Sequence, residues 1–174
     1  MLPQFIYHPD PVATGAIKKT GKRCSCCSEQ RGYEYTSSIY SREHPESICP
    51  WCIADGSAAE KFDGVFSDAS PLSREGVPEA VIEEVTKRTP GYNSWQEEEW
   101  LVCCKDACEF HGDVSRDELN AMSRETFLSA FDDSRIEESW IRDYKQNYEP
   151  GGNPAIYKWR CRHCGATKYY ADFT

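Results

Sequence analysis

A small α+β fold stabilised by clustered cysteines is what this sequence predicts, and three observations carry the prediction. Cysteine pairs recur at Cys24-x-x-Cys27, at Cys49-Pro50-Trp51-Cys52 and, near the C-terminus, at Cys161-x-x-Cys164. Tyrosine-rich alternating segments beside them read as short strands. Between the pairs, apolar residues recur at helical spacing.

The totals fit a globular chain. With 174 residues, 39% hydrophobic and 28% charged, it has room for one domain or two small ones, divided here as 1–70 and 71–174. No apolar run reaches the length a bilayer demands. The N-terminal segment lacks the pattern of an export signal, so the cytoplasm is the expected location. Disulfides do not persist in a reducing compartment, so ten cysteines read as metal ligands or catalytic thiols. The net charge is -9. That acidity disfavours phosphate backbones and suits a basic protein partner.

Residues 1–23 read as an irregular leader broken by Pro3, Pro9 and Pro11, with a short strand over Phe5–His8. Lys18, Lys19, Lys22 and Arg23 read as a solvated basic loop. Residues 31–36 and 38–41 are expected to pair as a hairpin, followed by Cys49–Cys52 and a helix over Ile53–Phe62. Knuckle, hairpin, knuckle and helix form the outline of a treble-clef finger. Zinc takes four borderline or soft ligands in a tetrahedron, and Cys24, Cys27, Cys49 and Cys52 supply them. The helix N-terminus adds a favourable dipole for thiolate charge. Cys26 is the leftover thiol. A thioredoxin-like redox motif is the rival reading of Cys49–Cys52, but such a motif follows a buried strand, and Ser41–Ser47 is polar and contains Pro45.

Residues 63–78 read as a linker and 77–88 as a helix ended by Pro90 and Gly91. Ser94 with Glu97 forms a capping box for a helix through Leu101. Trp95 and Trp100 are expected in the core rather than in a ligand cleft. Cys104 and Cys108 stand four apart, on one face if helical. A helix is expected over 115–131, burying Leu119, Met122, Phe127, Leu128 and Phe131. Another opens at a Ser134/Glu137 capping box and runs through Trp140, Ile141 and Tyr144. Segment 113–149 is the most acidic of the chain. Strands at 156–160 and 167–172 flank Cys161–Cys164, a zinc-ribbon-like hairpin, with Gly165 supplying a positive φ. This hairpin offers two ligands, and Cys104 and Cys108 are the complement. Cys103, His111 and His163 are the competing ligands. Two structural Zn2+ ions are therefore expected.

Four stretches carry a family resemblance: Leu2-Pro3-x-Phe5-x-Tyr7-His8-Pro9-Asp10-Pro11, Cys49 to Ala59, Lys87-Arg88-Thr89-Pro90-Gly91-Tyr92-x-x-Trp95-Gln96, and Arg160-Cys161-x-x-Cys164. Together they resemble the CbrC family of bacterial proteins, a family labelled by colicin tolerance. The resemblance implies no enzymatic activity. In that family a His often stands where this chain has Cys103, which favours Cys104 as the ligand.

The function expected is a non-enzymatic, zinc-rigidified interaction or toxin-tolerance module, whose acidic helices meet a basic protein such as a nuclease toxin. Two alternatives remain in view. A zinc-dependent hydrolase needs an open position at the second site, with His111 or Glu109 as acid-base group. A nucleic-acid-binding finger has only Lys18, Lys19, Lys22, Tyr33, Tyr35 and Tyr40 as a footprint.

Overall fold

A computed structural model describes residues 1–96, 98–131 and 134–173. The architecture is mixed α+β. Short helices decorate small antiparallel sheets, and seven helices lie among the described residues. None of them is long and apolar enough to cross a membrane.

Strand β1 (Ile17–Lys19) pairs antiparallel with β2 (Tyr33–Tyr35), setting Ile17 opposite Tyr35. The first cysteine pair therefore sits in the loop of this hairpin, not ahead of a hairpin made from 31–41. Tyr40 instead bridges Val65. Between the strands Glu34 is buried, and Lys18 and Lys22 lie 3.5 and 3.4 Å from its carboxylate. Part of the basic loop thus neutralises a buried acid.

The expected helix at 53–62 is two pieces, α1 (Pro50–Ala54) and α2 (Ser57–Lys61). Gly56 separates them at φ +81, a conformation that an L side chain resists. Helix α3 (Ser70–Arg74) occupies the expected linker, with the Asp68 carboxylate accepting from the Ser70 N–H. Helix α4 (Glu79–Arg88) follows Pro78 and buries Ile82, Val85 and Thr86.

Segment 94–101 holds no helix among its described residues. Its backbone donors go elsewhere: Trp95 N–H to the Asp172 carboxylate, Glu99 N–H to the Tyr92 hydroxyl. Glu97 of the expected capping box lies outside the described residues. Trp100 is buried as expected, its indole donating to the Cys108 carbonyl. Trp95 is 47% exposed.

Strands β3 (Val102–Cys103) and β4 (Asp106–Ala107) form a tight hairpin, turned by Cys104 and Lys105 at φ +53 and +59. Two successive positive φ values are the signature of a type I′ turn, whose twist suits a two-residue hairpin. Strand β5 (Glu109–Asp113) then pairs with β6 (Ala155–Arg160), which pairs with β7 (Thr167–Asp172), in the order β5-β6-β7.

Helices α5 (Arg116–Ala121), α6 (Arg124–Phe131) and α7 (Glu138–Asn147) fill the connection from β5 to β6. The single helix expected at 115–131 breaks at Met122, which is extended. Ser123 Oγ then accepts from the Thr126 N–H and restarts it. Helix α7 begins at Glu138, without a side-chain cap from the expected box. Leu119, Met122 and Phe127 are buried, whereas Leu128 and Phe131 are partly so.

Three apolar clusters hold the elements together. One gathers Phe5, Ile17, Tyr35, Ile53 and Phe66 around the first cysteines. A second stacks Tyr92, Trp100, Phe110 and Trp159. The third joins Leu119, Phe127, Ile141 and Ile156 beneath the helices.

Candidate metal centres

The first thiol group joins two loops. Cys24 and Cys27 come from the β1–β2 loop, Cys49 is the N-cap of α1 and Cys52 lies in its first turn. Their sulfurs all lie within 4.8 Å of one another. The Cys24–Cys52 and Cys27–Cys49 separations are 3.9 Å, and Cys49–Cys52 is 3.6 Å. A zinc ion with four sulfurs at about 2.3 Å requires tetrahedral edges of about 3.8 Å. These spacings match that edge and far exceed a disulfide bond.

Backbone donors converge on Cys24: the Cys49 N–H at 3.2 Å and the Cys26 N–H at 3.4 Å. Burial raises the Cys24 pKa, but the N–H groups of Cys27, Cys49 and Cys26 outweigh it and bring it down to about 7. Burial pushes Cys49 up to about 11 and raises Cys52 as well. Four adjacent thiols cannot all ionise alone, whereas a divalent cation reverses that preference. Lys61 fastens the loop to α2, donating at 2.8 Å to the carbonyls of both Ser25 and Cys26. Cys26 lies outside the group, its sulfur 3.6 Å from Ser57 Oγ.

The second group is Cys103, Cys104, Cys161 and Cys164. It joins two hairpin turns, β3–β4 and β6–β7. Cys103 lies 3.8 Å from Cys104 and 3.7 Å from Cys164, again near the tetrahedral edge. The N–H groups of His163 and Cys164 point at Cys161 Sγ from 3.4 and 3.5 Å. Led by the Cys164 N–H, they bring Cys161 down to about 6. Gly165 takes the expected left-handed conformation, φ +71.

Cys108 corrects the sequence reading, because it is not in this group. The helix meant to align Cys104 with Cys108 is a hairpin, where residues alternate between faces. Cys108 is fully buried beneath Trp100, and burial pushes its thiol up to about 12. Cys103 stands in its place. Neither His111 nor His163 belongs to either group. His111 lies 3.2 Å from Glu109.

His163 instead joins a polar layer behind the second group. Asp106 Oδ2 lies 2.7 Å from His163 Nε2 and accepts from Arg162 at 3.3 Å. Its Oδ1 accepts from Tyr7 OH at 2.8 Å and from the Ala107 N–H at 2.9 Å. Burial, reinforced by Asp106, raises Tyr7 to about 12. Such support orients ligating turns. The two groups differ in exposure: Cys24, Cys49 and Cys52 are buried, whereas Cys104 and Cys164 are exposed.

A family model described as "Uncharacterised protein family (UPF0167)" matches residues 2–173. The chain belongs to this family. UPF0167 relatives share it end to end. The "UPF0167 protein PA1536" of Pseudomonas aeruginosa is 49% identical, over 99% of this chain and 98% of its own length. The "UPF0167 protein Mb2317" of Mycobacterium bovis and the "UPF0167 protein MT2352" of Mycobacterium tuberculosis are each 43% identical, over 99% of this chain and 94% of their own. These matches correct the resemblance to the CbrC family, since the UPF0167 description carries no colicin-tolerance label. No solved structure matches the chain.

Proposed function

We propose that this UPF0167 chain is a non-enzymatic interaction module of the bacterial cytoplasm, rigidified by two structural zinc ions, whose acidic helices receive a basic protein partner. The supporting observation is the pair of four-thiol groups at tetrahedral spacing, each tying together distant segments. Soft thiolates in a tetrahedron favour zinc among the common divalent ions. In this reading residues 1–70 form a treble-clef-like finger and residues 71–174 end in a zinc-ribbon-like hairpin. Helices this short bury little apolar area alone, so metal binding supplies folding energy. The docking face is α5–α7, where exposed Glu137, Glu138 and Asp143 stand within three residues of Trp140, which is exposed and stacked on Tyr144 at 5.2 Å.

Elemental analysis of untagged protein tests the metal, with two zinc ions per chain expected. Retention of basic proteins of known sequence on immobilised chain at low salt tests the partner. It should weaken on reversing Glu137 and Asp143 to Lys, and retention indifferent to that reversal refutes the acidic face.

A zinc-dependent hydrolase is a second reading, supported by the His163–Asp106 pair beside exposed Cys104 and Cys164. It requires one thiolate to yield its position to water, which closed four-cysteine sites rarely allow. A metal-bound water at the second group would establish it.

A further inference from the structure

The stretch Tyr92–Trp95 and the edge of β5 enclose a cavity of about 390 Å³, lined by Thr14, Tyr92, Trp95, Phe110, Asp113 and Tyr157 among others. It lies outside both thiol groups. Its volume falls within the range of small-ligand sites.

Two features mark this cavity as built for a ligand. The first is Trp95. Its backbone N–H donates to Asp172 and its indole N–H donates to the Gly152 carbonyl at 2.8 Å. The residue is thus held through both its backbone and its indole, yet 47% of it is exposed. A large aromatic held in place without being buried offers a preorganised face.

The second is a β-bulge. Phe110 pairs with Trp159 and Asp113 with Tyr157, so β5 carries one residue more than β6 over this span. Gly112 makes the bulge at φ +81, and a Cβ there would stand 3.0 Å from Thr14 Cγ2. Bulges re-aim side chains, often beside functional sites. Here the bulge places Asp113 on the cavity wall.

The chemistry of the lining selects the ligand. Asp113 accepts from the Gly151 N–H at 2.8 Å, and backbone N–H groups stabilise its charge. Burial accordingly raises its pKa. Among the described residues no lysine or arginine lines the cavity, and Asp172 adds a second carboxylate within electrostatic reach of Tyr157. Phe110 and Tyr92 stack with centroids 4.3 Å apart, and Tyr157 meets Tyr92 edge-on at 5.0 Å. Anions are repelled from such a site. A cation gains from both the carboxylate and the aromatic faces.

We infer that this cleft binds a cationic nitrogen group, a primary ammonium or guanidinium, seated on Asp113 and faced by Trp95 and Tyr157. The site is independent of the metals. Its ligand is either the side chain of a lysine or arginine or a free small amine, which share this chemistry.

NMR titration tests it, read at the Gly112 and Gly151 amides and the Trp95 indole N–H. The probes are blocked lysine (N-acetyl-lysine methylamide), 1,4-diaminobutane and the neutral ε-acetylated form of the blocked lysine. Shifts at these three signals with the charged probes and none with the neutral one are expected. Tighter binding of blocked lysine assigns a side-chain source, and tighter binding of diaminobutane a free amine. Asp113→Asn keeps the Gly151 bond and should weaken charged probes at least about tenfold. Equal binding of the neutral probe, shifts confined elsewhere, or no response to either charged probe overturns the inference. That comparison uses only the unaltered chain, so it decides even where the variant does not fold.

Discussion

Tyr7 donates a 2.8 Å hydrogen bond to Asp106 across 99 residues of sequence, and Asp106 also holds His163 of the second cysteine turn. The leader is therefore part of the architecture behind the second thiol group. Tyr7→Phe should destabilise the chain by about 1–3 kcal/mol, the cost of a bond to a charged acceptor. It should also lower metal affinity at the second group by about tenfold, the usual effect of losing outer support. Chelator competition with each group read separately checks this. Equal weakening at the first group would contradict it.

Cys103 and Cys108 exchange the roles their spacing suggests. Cys103→Ser should reduce the metal content of purified protein from two ions to one. Cys108→Ala should leave it at two while destabilising the core by about 1 kcal/mol, because that thiol is a small buried hydrophobe. Elemental analysis of both variants decides the matter.

His8 gives the fold an acid-sensitive point. It is fully buried against Phe110, its Nδ1 2.9 Å from the Pro90 carbonyl and its Nε2 2.6 Å from Thr14 Oγ1. A carbonyl only accepts, so Nδ1 carries the proton and the Thr14 hydroxyl donates to Nε2. Burial lowers the pKa from 6.5 to about 4. The neutral ring's contribution is complete above the unfolded value and is lost as pH falls toward the folded one. That difference corresponds to about 3 kcal/mol at most. Urea midpoints should drop between pH 6.5 and 4, and His8→Gln should flatten that slope.

Glu98 acts in the opposite direction. It is buried near Tyr40 and the Asp68 backbone, and among the described residues its Oε2 has no hydrogen-bond partner. Burial raises its pKa from 4.5 to about 7. Stability is complete below the unfolded value and diminishes as pH rises through the folded one. Glu98→Gln should therefore stabilise the chain by about 1–3 kcal/mol at pH near 8 and much less near pH 5. Thermal melts at the two pH values measure the difference.

What was legible in the residues depended on how local the signal was. Cys-x-x-Cys spacing marks a knuckle whatever surrounds it, and strand alternation with Gly165 marked the C-terminal hairpin. The β3–β4 turn was hidden because its two positive-φ residues are Cys104 and Lys105, neither a turn marker. The pair was then read at helical spacing, which brought in Cys108. The helix expected at 94–101 does not form among the described residues, where the Glu99 N–H, which a helix would give to the Trp95 carbonyl, goes to the Tyr92 hydroxyl. Trp95 gives its N–H to Asp172, far along the chain, and its side chain lines the cavity instead of entering the core.

The order of the cysteines along the polypeptide has a consequence for biosynthesis. All four thiols of the first group have been synthesised once residue 52 is made, whereas the second waits for Cys164. A nascent chain leaving the ribosome can lock its N-terminal hairpin early. Trp100 and Phe110 meanwhile stay without Trp159, their cover on β6. Premature termination before the last hairpin would release a chain whose first thiol group is complete and whose largest aromatics lack their cover, a form suited to capture by chaperones.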